Sequence, residues 1–270
     1  LIEFSSVRFR HPNGVEALKG IDLTIKPGGI TAIVGGNGAG KTTLIKHING
    51  LLKPSEGRVT VFGTDTREAS VAQLSRRVGI VFQNPDHQLF SDSVEHEVEF
   101  ALRNLGFPEE VVHRRREWAL KTFDLARYRS TPPMLLSGGE KKRLCLAVVL
   151  AWDPDVLILD EPTVGQDLIQ KERLQGLIRM LLTQGKTVIL VSHDIEFLWP
   201  LQPRVVVMSQ GRIVAQGEAA EVFLDPRVLE AASLLRPQLV DLWESLGNRP
   251  PEPFPTIYEA KEWVAQQLVG

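Results

Sequence analysis

The run Gly35-Gly36-Asn37-Gly38-Ala39-Gly40-Lys41-Thr42 constrains this chain most, because it joins an apolar run, Ile30–Val34, to a helical pattern from Lys41 to about Asn49. Residues without a Cβ allow tight curvature and let backbone N–H groups converge on an anion. Lys41 then offers a point charge to β- and γ-phosphates, the Thr42 hydroxyl a ligand for Mg2+, and the helix start its positive end. The pattern predicts a nucleoside-triphosphate grip on a strand–loop–helix unit of an α/β fold. The alternative is an incidental glycine-rich turn, but the flanking strand and helix are the context a phosphate loop requires.

Further along, Val156-Leu157-Ile158-Leu159-Asp160-Glu161 puts two carboxylates at the end of a short strand that is apolar on both faces. Ligands of open α/β sheets bind at that edge. Asp160 suits Mg2+, and Glu161 suits the polarising of an attacking water; a plain helix N-cap is the competing explanation of such a pair. A second small-residue turn, Leu136-Ser137-Gly138-Gly139-Glu140, leads into another helix. Its first N–H groups and the Ser137 hydroxyl form a second anion site, unless Ser137 is only an N-cap. The chain thus carries two half-sites for one kind of ligand, which could meet across a head-to-tail dimer.

The remaining segments fall into place around these motifs. Alternation over Ile2–Arg10 and Ala17–Ile25, split by Pro12-Asn13-Gly14, predicts an antiparallel hairpin. Short strands are expected near Arg58–Phe62, Gly79–Gln83, Val156–Leu159, Thr187–Val191 and Val205–Met208, with a helix over Leu168–Leu182 making a βαβ unit. Between about Pro85 and Trp152 the reading is helical, with helices over Val94–Leu105, Pro108–Phe123 and Gly138–Ala151. After Gly217, prolines punctuate short helical pieces such as Pro226–Leu235 and Ile257–Leu268.

A length of 270 residues, 43% of them hydrophobic, permits a sizeable core, and a formal charge of −2 offers no basic field for nucleic acid. The densest basic run, His113–Arg116, is expected to be a solvated helix face. Cys145, the one cysteine, sits in an apolar stretch and reads as core filling. The opening Leu1–Phe4 lacks a basic region followed by an apolar one, and no apolar run approaches the ~18 residues of a membrane span. A soluble chain is expected.

On these residues the sequence resembles the ATP-binding cassette (ABC) ATPases over nearly all of Leu1–Gly217. The resemblance implies an α/β P-loop core with an N-terminal antiparallel β-subdomain and an inserted helical subdomain at about 85–152; residues 218–270 read as a C-terminal helical appendage. It implies that Gly35, Gly36, Asn37, Gly38, Ala39, Gly40, Lys41, Thr42 and Thr43 bind ATP as the Walker A motif. Ser137, Gly138 and Gly139 are then the signature contacts, with Glu140 in place of the common glutamine. Mg2+ would fall to Thr42, Asp160 and Gln83 of the Q-loop. Glu161 would be the catalytic base, His193 the switch histidine after Thr187–Val191, and Asp167 the end of the D-loop. Three departures stand out. His11 occupies the place of an aromatic adenine platform, a smaller ring whose stacking is expected to be weaker or shared with Phe9. Gly36 replaces a frequent proline, and Glu140 the glutamine.

The stretch Val81-Phe82-Gln83-Asn84-Pro85-Asp86-His87-Gln88-Leu89-Phe90 narrows the resemblance to the ATPases of energy-coupling factor transporters, which take up vitamins and metal ions such as cobalt or nickel. That implies a second ATPase subunit, identical or homologous, and integral membrane transport subunits docked near Gln83–Phe90, on the cytoplasmic side of the cell membrane. The appendage over 218–270 could serve as the pairing region that ATPases of energy-coupling factor transporters carry there. The alternative is a soluble ABC ATPase acting on the ribosome or DNA. Those usually carry two cassettes or a long coiled-coil insert, and neither is seen here.

Overall fold

The computed structural model describes residues 2–247 and 249–269; Leu1, Asn248 and Gly270, and with them the outer ends of the two expected segments, lie outside the described residues. Along the chain, β1 (Ile2–Arg10) and β2 (Glu16–Ile25) form the expected antiparallel pair, and β3 (Ile30–Val34) and α1 (Lys41–Ile48) flank the glycine loop. Then come β4 (Glu56–Val61), β5 (Thr64–Asp65), α2 (Val71–Ser75) and β6 (Val78–Val81). The helical stretch holds α3 (Val94–Asn104), α4 (Glu109–Thr122) and α5 (Gly138–Ala151). After it lie β7 (Val156–Asp160), α6 (Leu168–Thr183), β8 (Thr187–Val191), α7 (Ile195–Leu198), β9 (Arg204–Ser209) and β10 (Arg212–Glu218). The tail is helical: α8 (Ala219–Leu224), α9 (Pro226–Ala232), α10 (Gln238–Ser245) and α11 (Ile257–Val269).

Two sheets result. The smaller is antiparallel, ordered β2-β1-β4-β5; the larger is ordered β10-β9-β3-β8-β7-β6 and is parallel from β9 to β6, with β10 antiparallel at its edge. Strand side chains alternate between faces, so each buried strand of the larger sheet serves two cores. Ile158, Ile189 and Val206 join Leu44, Ile45 and the smaller sheet on one side. Leu157, Leu159, Leu190 and Val207 pack under the helices on the other. Full burial of each such side chain contributes about 1.5–3 kcal/mol before the entropy of ordering is subtracted. The tail shares the second core through Phe223, Leu229 and Val240, and the Trp199 indole N–H donates to the Phe254 carbonyl at 2.7 Å.

Local chemistry sets the helix starts. Ser70 with Gln73 forms a capping box on α2, Ser93 caps α3, and Asp167 caps α6 by accepting from the Gln170 N–H at 2.8 Å. Cys145 is fully buried in α5, and burial pushes its thiol pKa up to about 12, as core filling requires.

Two points depart from the sequence reading. Strand β10 went unpredicted, because an edge strand with alternating half-exposed residues lacks the continuous apolar run of its buried neighbours. Helix α10, which starts just after Pro237, is one of the short helical pieces expected between the prolines of the tail. The basic run His113–Arg116 is only half a solvated face. His113 and Arg114 are exposed, but the Arg115 guanidinium donates to the Ala151 carbonyl at 2.8 Å, and Arg116 pairs with buried Glu99 of α3.

Candidate active site

Strands β3, β8, β7 and β6 are neighbours in the sheet, so the loops leaving their carboxyl ends share one edge. Those loops carry, in that order, the glycine run, His193, Asp160-Glu161 and Gln83. They meet at a cleft of about 870 Å³ lined by Asn37–Thr43, Gln83, Asp160, Glu161 and His193, with His11 from the smaller sheet. Gly35 and Gly36 lie just behind, bordering a second hollow of about 740 Å³ whose far wall is the tail segment Ser233–Arg236.

The loop's shape depends on two glycines. Gly35 has φ +144°, and a Cβ there would stand 2.1 Å from the Met208 carbonyl oxygen. Gly40 has φ +100°, and a Cβ would meet the Ala17 carbonyl oxygen at 2.6 Å. Lys41 starts α1 immediately afterwards. Its ammonium folds back into the loop and donates to the Gly35 and Gly36 carbonyls at 2.8 and 3.0 Å. Burial lowers its pKa, while Glu161 and Asp160 act against that shift.

Thr42 Oγ donates to Asp160 Oδ2 at 3.0 Å. Among the described residues Asp160 Oδ1 is buried with no hydrogen-bond partner, and burial pushes the carboxyl pKa up, opposed by the Thr42 hydrogen bond. A buried, unshared carboxylate oxygen beside a hydroxyl is the hard-oxygen environment that suits Mg2+. Gln83 adjoins them, sharing a groove with Thr42 and Asp160. The donor set fits the ion.

Glu161 adopts φ +49°, unusual for a residue with a side chain, and its N–H is tied to the Val191 carbonyl at 2.8 Å. It caps no helix, since α6 begins only at Leu168, so the N-cap explanation of the Asp-Glu pair fails. His193 Nδ1 stands 2.9 Å from Glu161 Oε2, at ion-pair distance but not aligned as a hydrogen bond, and Oε2 has no donor. The two residues are brought together by neighbouring strands.

At the other end of the cleft, His11 Nε2 is 3.4 Å from Thr43 Oγ, and its ring stands edge-on to Phe9 with centroids 4.9 Å apart. Phe9 is buried and also packs edge-on against His47, so it supports His11 from behind and does not line the cleft. The expectation that it shares the stacking is corrected. The turn between β9 and β10 was missed altogether. Gln210, at φ +49°, and Gly211 line the cleft, and the Gly211 N–H donates to the Ala39 carbonyl at 3.0 Å, bracing the phosphate loop. The signal is a Gln-Gly pair directly after the apolar run Val205–Met208.

Ser137, Gly138 and Gly139 are not part of this cleft. Ser137 is an exposed N-cap of α5, in a capping box with Glu140: its N–H and hydroxyl donate to Glu140 Oε2 at 2.8 and 2.7 Å. The Tyr128 hydroxyl binds the other oxygen, and these donors hold the Glu140 carboxyl pKa down at about 2. Asp167 caps α6, with exposed Leu168 and Ile169 beside it.

A strand-borne phosphate loop, an Asp-Glu pair two strands away and a facing histidine define an ABC ATPase cassette. The chain belongs to the ABC transporter family, whose pattern matches residues 18–164. It is 41% identical to an energy-coupling factor transporter ATP-binding protein, EcfA, of Methanothermobacter thermautotrophicus, over 91% of this chain and 80% of that one. Its fold is similar to cbiO1 of Clostridium perfringens, described as part of the ABC transporter complex cbiONQ, with TM-score 0.74, 38% identity, and coverage of 90% and 98%. It is also similar to the dimeric cassette MJ0796 in a post-hydrolysis state with ADP and Pi, with TM-score 0.74, 28% identity, and coverage of 81% and 99%. Against two longer curated relatives, 46% and 48% identical to it, the chain spans 40% and 37% of their length.

Proposed function

We propose that this chain is the ATP-hydrolysing subunit of an energy-coupling factor importer for a vitamin or a transition-metal ion such as cobalt or nickel. Two chains, identical or homologous, would sandwich ATP head to tail, each nucleotide lying between Gly35–Thr42 of one and Ser137–Gly139 of the other. The observation that carries this reading is the separation within one chain: the cleft gathers the phosphate loop, Asp160, Glu161 and His193 but leaves the Ser137 turn outside. Likeness to EcfA and to cbiO1 supports the transporter class.

In this scheme Thr42, Asp160 and Gln83 would hold Mg2+, which would supply charge neutralisation for the triphosphate. Lys41 leaves its two carbonyls for the terminal phosphates. Glu161, set by its strained backbone, orients and deprotonates the attacking water, and His193 steadies the γ-phosphate. His11 and Val15 offer the base an imidazole and an apolar edge. Loss of the γ-phosphate opens the pair, and that motion is passed to integral membrane subunits docked beside Gln83–Phe90, where Phe90 and Phe100 stand exposed. Among the described residues no helix is long and apolar enough to cross a membrane, so attachment to the cytoplasmic face would be through those subunits. Residues 1–217 would form the cassette and 218–270 an appendage that aids pairing, and no nucleic acid is involved.

Glu161→Gln should bind ATP normally, lose about a hundredfold or more in turnover, and accumulate as an ATP-dependent dimer on size exclusion. Unchanged hydrolysis would remove Glu161 from its role. Copurification with a hydrophobic membrane subunit supports the importer; copurification with ribosomes instead supports the soluble alternative.

A further inference from the structure

His193 is mostly exposed, with 61% of its side chain open to solvent, yet it sits 2.9 Å from Glu161. An exposed ring stays at such a distance only if its backbone is anchored. The anchor is the next residue, Asp194. Its N–H is held by Ser192 Oγ at 3.0 Å, its Oδ1 caps α7 by accepting from the Phe197 N–H at 3.1 Å, and its Oδ2 meets Lys171 Nζ of α6 at 2.5 Å. The Thr163 side chain, buried in the segment after Glu161, also helps to keep the Asp194 carboxyl ionised. Burial opposes ionisation of this carboxyl, but the bonds from Lys171 and the Phe197 N–H outweigh it and keep its pKa below the usual value.

These contacts close a ring. It runs from Glu161 along the chain to Lys171, across the ion pair to Asp194, back one residue to His193, and through space to Glu161 again. The covalent part of the ring is itself tied down, because Lys142 of α5 donates to the carbonyls of Pro162, at 3.3 Å, and Val164. Among the described residues, the Lys171–Asp194 pair is the charge-assisted bond that fastens the far end of that segment to the histidine loop.

We propose that Lys171 is a positioning residue for hydrolysis: paired with Asp194, it fixes the loop that keeps His193 in register with Glu161. The proposal rests on the reading that Glu161 and His193 carry the hydrolytic step. Lys171 lines neither the cleft nor the phosphate loop, so its influence should fall on turnover and not on nucleotide affinity.

The test uses the full chain with magnesium ATP. Lys171→Met should lower kcat about ten- to a hundredfold, the scale expected when a reacting group is misplaced by an ångström, with nucleotide Kd unchanged within about twofold. Lys171→Arg should restore most of the rate. In carbon-edited spectra of the imidazoles, the His193 signal, assigned by its loss in His193→Gln, should move in Lys171→Met and return in Lys171→Arg. Lys171→Gln serves in the same assays if the methionine variant unfolds. Full activity of the neutral variant, a parallel fall in ATP affinity, or an unmoved His193 signal overturns the proposal. If Glu161→Gln still hydrolyses ATP, the underlying site reading fails; if it is dead while Lys171→Met runs at full speed, only the positioning role does.

Discussion

The phosphate loop and the Ser137 turn are both small-residue turns that open a helix, but the chain finishes one and withholds the other. Around the loop, Met208 and Ala17 press on the glycine backbone, Gly211 braces Ala39, and Lys41 is buried against the Gly35 and Gly36 carbonyls. The Ser137 turn is exposed, is satisfied by its own Glu140, and does not line the cleft. The loop is preorganised by a sheet edge and needs only its anion. The turn is satisfied within its own chain, and under the proposed function a phosphate brought by a second copy would have to compete with the Glu140 carboxylate for the Ser137 hydroxyl. The contrast teaches that affinity should reside in the first region and assembly in the second.

Lys41→Ala gives the largest test of that division. Removing one charged hydrogen-bonding partner of the phosphates should weaken ATP binding about ten- to a hundredfold in filter binding. Equal affinity in the variant would mean that the loop is not the grip. Ser137→Ala comes next and should behave oppositely. Dilute chain should bind ATP within about twofold of wild type, while ATP-dependent dimer and hydrolysis both fall. Loss of the cap should also cost about 1 kcal/mol of stability, read as a lower midpoint in urea. A serine variant that weakened binding by the dilute chain as much as Lys41→Ala would erase the distinction between the two regions.

Much of this was legible because the informative residues are local. A glycine run between a strand and a helix, an Asp-Glu pair ending an apolar strand, and a serine-glycine turn each carry their chemistry in a few consecutive positions. The parallel strands β7 and β8 were equally plain, being apolar on both faces. What stayed hidden depends on tertiary neighbours. Phe9 reads as a stacking ring until the sheet buries it behind His11. Arg115 and Arg116 read as solvated until Ala151 and Glu99 pack against them. The Gln210-Gly211 brace and the Lys171–Asp194 pair join segments far apart in sequence, which no local pattern encodes. The 49° φ of Glu161 has no signature either, since the residue type that usually signals a left-handed backbone is absent.

The smallest effect sharpens the comparison through pH. Glu140 has a folded pKa of about 2 against an unfolded value of 4.5, set first by the Tyr128 hydroxyl and then by Ser137. A depressed acid pKa stabilises the fold above the unfolded value and stops doing so as pH falls through the folded one. The stability gap between wild type and Glu140→Gln should therefore be flat above about pH 5 and shrink from there towards pH 2, measured as thermal midpoints. The same substitution removes a negative charge from the start of α5 while leaving an amide oxygen to face Ser137. If that turn receives a phosphate from a second copy, Glu140→Gln should form the ATP-dependent dimer at lower protein concentration than wild type at pH 7. A gap that ignores pH, or a dimer that is no easier to form, would mean that the carboxylate is not what closes this turn.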